Sequence, residues 1–401
     1  MPSRRRLLTR AMSVAAGGGW LSSSPFLPSF VRGSVAHASE PPLNTSRDRI
    51  LVLIQLDGGN DGLNCVVPHA QEPYLQKRPE IGLRGNQLLK INDELSFHGS
   101  MRAMADLLED GRLAVVQNVG YPNPDRSHFR SMAIWHTGFN EDELPTNGWA
   151  ARALEPQAGD ATDAIFVGEQ ELPLSLQSRK TVVTSVSPNQ QLRLKSPIDP
   201  MSVLASHHAE VASHDFVQRS VLNAYSAAKK LSQPSKSEPV ASYPASQLGR
   251  SLRTTADFIR IESTARVYCS IQSGYDTHQN QQASHGRLLE DFSESVKAFL
   301  DDMQAIQMQD RVVVMAFSEF GRRVTENGSA GTDHGTAGPV FVAGSPVNAG
   351  LIGQVPDLTN LAGDDLTMEF DFRRIYASLQ TWLGCPDASI TNNFDPLALF
   401  S

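Results

Sequence analysis

Cysteine is scarce: Cys65, Cys269 and Cys385 are the only three in 401 residues, and no two stand at CxxC spacing. That excludes a disulfide-stapled scaffold and speaks against a zinc–thiolate site, leaving room for one disulfide at most. Positive charge is also short, with 35 Lys and Arg against 43 Asp and Glu and a net charge of −8. Residues 1–38 hold five arginines (4, 5, 6, 10 and 32) and no acid, so without them the formal charge falls by five, from −8 to −13. A chain that acidic has no electrostatic footprint for nucleic acid, and none is expected as a partner. No stable membrane span is expected in the mature chain. What remains is globular: 40% hydrophobic and 19% charged residues can bury a large core, organised as one elaborated domain over 49–401.

The N-terminus reads as a targeting segment. Ser3-Arg4-Arg5-Arg6-Leu7-Leu8 is a twin-arginine export pattern, and Ala36-His37-Ala38 is a small-x-small cleavage site. Between them, Ala11 to Phe30 is apolar but diluted by Gly17 to Gly19 and Ser22 to Ser24, which suits a cleaved signal better than an uncleaved anchor. The expectation is recognition by the twin-arginine export machinery, a mature chain starting at Ser39 in the periplasm or medium, and a polar linker over 39–48. That route carries proteins already folded, which agrees with a cofactor loaded before export.

The most informative stretch is Ile50 to Asn64, ILVLIQLDGGNDGLN. Ile50 to Leu56 is an apolar run interrupted only by Gln55, the pattern of a strand buried on both faces of a parallel sheet. It ends at Asp57 and a glycine-rich loop, where ligands of open α/β sheets gather; two glycines let backbone and ligand approach closely. The plainer alternative is a polar turn in which Asp57 or Asp61 caps the next segment.

The pattern recurs. Leu113 to Val119 runs into a loop and a helix beginning at Ser127; Val267 to Ile271 ends before Asp276 and His278; Arg311 to Phe317 ends at Ser318-Glu319. Asp333-His334 lies in the loop leading into a strand over Pro339 to Ala343. Helices are expected over 101–108, 127–136, 248–261, 288–303 and 372–383 and a helical stretch within 203–231, whereas Pro68 to Leu95 reads as an excursion. The fold class is therefore α/β, a mostly parallel sheet flanked by helices, with 140–245 as an inserted cap region. Carboxylates and imidazoles gathered at one sheet edge suit a divalent metal, Zn, Mn, Mg or Ca. The metal candidates are Asp57, Asp276, His278, Glu319, Asp333 and His334. Each has a simpler reading as loop chemistry or a surface ion pair. His98, His128, His136 and His285 are weaker candidates, most of them expected to be structural or exposed. Ser127 is either a helix N-cap or a nucleophile whose pKa a metal lowers.

Together these stretches resemble the alkaline-phosphatase-like superfamily, which includes the sulfatases, and within it a bacterial twin-arginine-exported family of unknown function. The resemblance rests on LDGGNDGLN, Pro-Asn-Pro-x-x-Ser-His-Phe, Gly-Tyr-Asp-Thr-His, Ser-Glu-Phe-Gly-Arg and Asp-His-Gly, in order from Asp57 to His334. It implies an exported metal-dependent hydrolase or transferase acting on a phosphate or sulfate ester, small or polymeric. Asp57, Asp276, His278, Glu319 and His334 would stand at metal positions and Ser127 at the nucleophile. Arg126, Arg130, Arg322 and Arg323 are candidate anion clamps. Three departures accompany it. Asp276 and His278 are two apart where the superfamily has four, and Phe320 follows Glu319 where an Asp-His pair is usual. Ser127 lacks the following proline that formylglycine conversion requires. The rival reading is a non-catalytic metal- or ligand-binding protein on a retained hydrolase fold.

Overall fold

A computed structural model describes residues 48–140, 146–157, 163–178, 180–188, 239–261 and 263–400. The expected export signal and cleavage site, most of the expected linker and the helical stretch expected within 203–231 lie outside the described residues. The chain begins with β1 (Ile50–Asp57), α1 (Gly62–Cys65), β2 (Val66–Val67), α2 (Glu72–Lys77), β3 (Leu88–Lys90), β4 (Ser96–His98), α3 (Arg102–Glu109) and β5 (Leu113–Gly120). Then come α4 (His128–Thr137), α5 (Trp149–Leu154), β6 (Ala164–Val167), β7 (Val183–Val186), α6 (Gln247–Arg260), β8 (Val267–Ser273) and α7 (Gln281–Ala305). The chain closes with β9 (Val312–Phe317), β10 (Gly338–Ala343), β11 (Gly350–Ile352), β12 (Phe370–Asp371), α8 (Phe372–Leu383) and α9 (Ala388–Thr391).

The main sheet has nine strands in the order β11-β5-β10-β9-β1-β8-β6-β7, with β12 also paired to β5. β1 is central and parallel to both β8 and β9. Its side chains alternate between two apolar layers, as a pleated strand demands. Ile50, Val52, Ile54 and Leu56 pack with α3, α6 and α7 on one face. Leu51 and Leu53 pack with α4, α5 and α8 on the other. The helix-covered, mostly parallel sheet expected from the sequence is what forms.

Three features differ from expectation. β10 runs antiparallel to both β9 and β5, so its entry loop reaches the same edge as the ends of the parallel strands. β5 does not lie beside β1 as two buried parallel strands suggest; β9 and β10 separate them. The described parts of 140–245 also do not form a separate cap. β6 and β7 extend the sheet beyond β8, and α5 is buried in its cover. The excursion after β1 has order of its own, a small sheet in the order β2-β4-β3. All three cysteines are buried and unpaired.

Candidate metal centre

The loops after β1, β8 and β9 and the loop before β10 meet at one edge, joined by α4 as it starts after β5. Gly58 lets them touch. Its φ is +118°, and a Cβ there would stand 2.4 Å from the Asp276 nitrogen. The glycine therefore brings backbone against backbone, which is what seats Asp276.

Asp276 is the hub. Its Oδ1 lies 3.0 Å from His278 Nε2, 3.1 Å from His334 Nε2 and 3.6 Å from His128 Nε2. His278 Nε2 and His334 Nε2 are themselves 2.9 Å apart. Each ring is turned inward by an oxygen on its other nitrogen. His128 Nδ1 meets Glu319 Oε1 at 2.8 Å, His278 Nδ1 meets Asp333 Oδ1 at 3.3 Å, and His334 Nδ1 meets the Arg126 carbonyl at 2.8 Å. Carboxylates and carbonyls only accept, so the three Nδ1 atoms carry protons and donate. In the neutral rings the three Nε2 lone pairs then face one carboxylate oxygen.

Acceptors facing acceptors repel unless a cation lies between them. His128 Nε2 is buried and has no hydrogen-bond partner. A tetrahedral ion with bonds of about 2.0 Å places its ligand atoms roughly 3.3 Å apart, close to the spacings seen here. Imidazoles steered by oxygen acceptors are the usual surroundings of a bound metal. The donor set therefore fits a divalent ion of zinc type, with His128, Asp276 and His334 as the tightest group. Burial alone would raise the Asp276 carboxyl, but the hydrogen bond and charge of Arg322 outweigh it and lower the pKa to about 2. His128 is shifted up, chiefly by its hydrogen bond to Glu319.

The other expected residues stand around this hub. Glu319 is fully buried and accepts from the Gly58 nitrogen (3.0 Å), Ser318 Oγ (3.0 Å) and His128, so it orients His128 instead of lying at the centre. Asp333 does the same for His278 from the surface. Asp57 accepts from Gln55 Nε2 at 3.0 Å and Ser273 Oγ at 3.3 Å, and its carboxyl is raised by burial and by the Glu319 charge. Ser127 sits at the N-cap position of α4, one residue before His128, yet its side chain makes no capping bond. Arg322 is not an anion clamp: its buried guanidinium donates to the Gly58, Gly59, Thr332 and Tyr275 carbonyls and to Asp276 Oδ1 at 2.7 Å. Arg126 is paired with Asp365. His128, expected to be mostly structural or exposed, is one of the convergent group, and His136 stands behind it in a buried relay. His136 Nε2 donates to Gln55 Oε1 at 2.8 Å, and Gln55 in turn holds Asp57. The sequence trace of this relay was the one polar residue in the β1 run.

A buried clasp fixes the ligand loops. Gln281 Oε1 accepts from Thr277 Oγ1 at 3.0 Å, between Asp276 and His278, and from Thr332 Oγ1 at 2.6 Å, just before Asp333 and His334. Its Nε2 donates to Asp61, whose carboxylate is paired with Arg78. Gln281→Met keeps the volume and loses the clasp, and zinc affinity is expected to fall about tenfold or more. Gln380→Met, at a buried glutamine of α8, should cost stability without changing zinc affinity. Unchanged zinc binding by Gln281→Met in a chelator competition would show that the clasp does not position the loops.

Fold and site together define an α/β protein with a candidate metal centre at the carboxyl edge of its parallel strands. Residues 48–395 match the family described as "Protein of unknown function (DUF1501)", and the chain belongs to that family. Similar solved structures include the C-terminal periplasmic domain of EcEptC from Escherichia coli in complex with Zn (12% identity, 74% of this chain and 73% of that one, TM-score 0.39). Others are a protein in the alkaline phosphatase superfamily from Vibrio parahaemolyticus (9%, 87% and 71%, TM-score 0.40) and the PsFucS1 sulfatase from Pseudoalteromonas sp. (11%, 100% and 77%, TM-score 0.39). No curated protein matches the sequence.

Proposed function

We propose that the chain holds a divalent cation through His128, Asp276, His278 and His334 and performs hydrolysis or transfer at a phosphate or sulfate ester. The observation that carries this is the convergence of three Nε2 atoms, each with its Nδ1 engaged by an oxygen, on one carboxylate oxygen. When bound, the cation would supply Lewis acidity and neutralise charge on the ester oxygens. Ser127 would provide the oxygen that bonds to phosphorus or sulfur, while the ester's alcohol oxygen departs with a proton. Asp57 and Glu319 form the negative side of the site and favour further positive charge there.

The test is a screen of model phosphate and sulfate esters with Zn, Mn, Mg or Ca added. Ser127→Ala is expected to abolish turnover. Because Ser127 does not cap α4, the substitution should leave stability within about 0.5 kcal/mol of the parent rather than incur the loss of a helix cap. Full turnover by Ser127→Ala would remove Ser127 as the nucleophile. A second reading rests on the donor count. Three imidazoles and a carboxylate fill a tetrahedral set, and closed sets hold structural ions, whereas catalytic zinc keeps an open position. Metal-loaded protein without turnover on any ester would favour it.

Export belongs to the same proposal, supported by Arg4-Arg5 and Ala36-His37-Ala38. Among the described residues no helix is long and apolar enough to cross a membrane. N-terminal sequencing of protein recovered from periplasm or medium should begin at Ser39; an intact Met1 or Pro2 would contradict cleavage.

A further inference from the structure

A cleft of ≈ 500 Å³ opens directly onto the centre, sharing His128 and Asp276 with it and reaching the neighbouring Asp57. That volume suits a small organic ligand. One wall is a face of α4 at helical spacing, Phe129, Met132 and Ala133, with Leu174 joining from the chain beyond α5. Phe129 is 92% exposed, one of two large hydrophobic side chains so exposed among the described residues, and it directly follows His128. An aromatic ring held in water beside a reactive group has no folding role and suits ligand contact. The cleft's charge also selects. No Lys or Arg is among the described residues lining it, and His136, at its floor, is kept neutral by burial with a pKa of about 4. Among the described lining residues, anionic groups beyond the one at the centre would meet no cation and would face Asp57.

Resting on the proposed ester chemistry, we infer that the cleft receives the organic side of the substrate and that this side is uncharged and apolar, an aryl or comparable group. The anionic head lies at the centre and the ring lies along Phe129, Met132 and Ala133. Nucleotides and multiply sulfated sugars fit this cleft poorly.

The test is calorimetric binding of phenylphosphonate, methylphosphonate, glucose 6-phosphate and phenol to metal-supplemented protein, which needs no turnover. Phenylphosphonate is expected to bind at least tenfold more tightly than methylphosphonate. Phe129→Ala, a surface change that leaves the fold intact, should erase most of that ratio while leaving methylphosphonate unchanged. Ala133→Phe, which fills the cleft, should exclude phenylphosphonate selectively. Equal affinity for the two phosphonates, tighter binding of glucose 6-phosphate, or a phenyl preference indifferent to Phe129 would each overturn the inference. Failure of the anionic head alone would read differently: neither phosphonate binds, yet phenol still binds in a Phe129-dependent way. That result would sink the ester reading and support the apolar cleft; phenol binding indifferent to Phe129 would sink the cleft as well.

Discussion

Asp276→Asn is expected to lower zinc affinity by about a hundredfold or more, the largest loss of any single change at the centre. The substitution keeps the side chain's shape and removes its charge. Asp276 Oδ1 is the one oxygen faced by His278, His334, His128 and Arg322 together. An anion in contact with a divalent ion in a partly dry site is worth several kcal/mol, and a hundredfold corresponds to only about 2.8 kcal/mol. Arg322 would still be held by the carbonyls of Gly58 and Tyr275, so the metal-free fold should change little. Competition against a chelator measures the affinity, and thermal unfolding with the chelator in excess isolates the fold. Asp333→Asn acts through His278 alone and should cost about tenfold, at the low end for such supporting groups. Native-like zinc binding by Asp276→Asn would eliminate this cluster as the metal centre. A collapse of the metal-free fold would assign Asp276 a structural role instead.

The parts of this centre legible in the sequence were those that follow from strand ends. The apolar run of β1 announces its double burial, and Asp57, Asp276 and Glu319 lie just beyond the ends of such runs. His334 was placed by resemblance and by its loop, but the direction of β10 was not readable. Gly338 to Ala343 is as apolar as a parallel strand, and nothing in it encodes antiparallel pairing. Division of labour among the polar residues was equally hidden. Whether Glu319 binds an ion or turns His128 toward one depends on which oxygen faces which nitrogen, and that is set by packing between β9 and α4. His128 has neither a strand-end position nor a metal-ligand spacing to mark it; only the start of α4 after β5 brings its ring to the centre. Gln281 carries no pattern at all; its importance comes from two threonines that the fold brings to it from loops 277 and 332.

Asp61→Ala is expected to destabilise the protein by about 3–5 kcal/mol, a large share of the roughly 5–15 kcal/mol of a typical domain. Asp61 and Arg78 are both fully buried and joined at two points, 2.6 and 3.0 Å. Removing the carboxylate leaves the guanidinium's charge in the interior and strips Gln281 Nε2 of its acceptor. The pair's net worth is smaller than this loss, because burying both ions was costly in the first place. Arg78→Met combined with Asp61→Leu should therefore be less damaging than Asp61→Ala alone. The pH dependence follows from the same charges. Burial pushes the Asp61 carboxyl upward, but the Arg78 charge and hydrogen bonds, aided by Gln281, hold it below its ordinary value. A lowered folded-state pKa means the contribution is fully present above the unfolded pKa of about 3.9 and is lost as pH falls through the folded value. Urea unfolding should thus show the full gap between parent and Asp61→Ala at pH 7 and a smaller gap near pH 3. A gap that is equal at both pH values, or a double variant that loses the sum of the two single losses, would show that the pair is not coupled as the structure draws it. Because Asp61 also anchors the Gln281 clasp, Asp61→Ala should weaken zinc binding even at temperatures where the protein stays folded, linking the buried pair to the centre it braces.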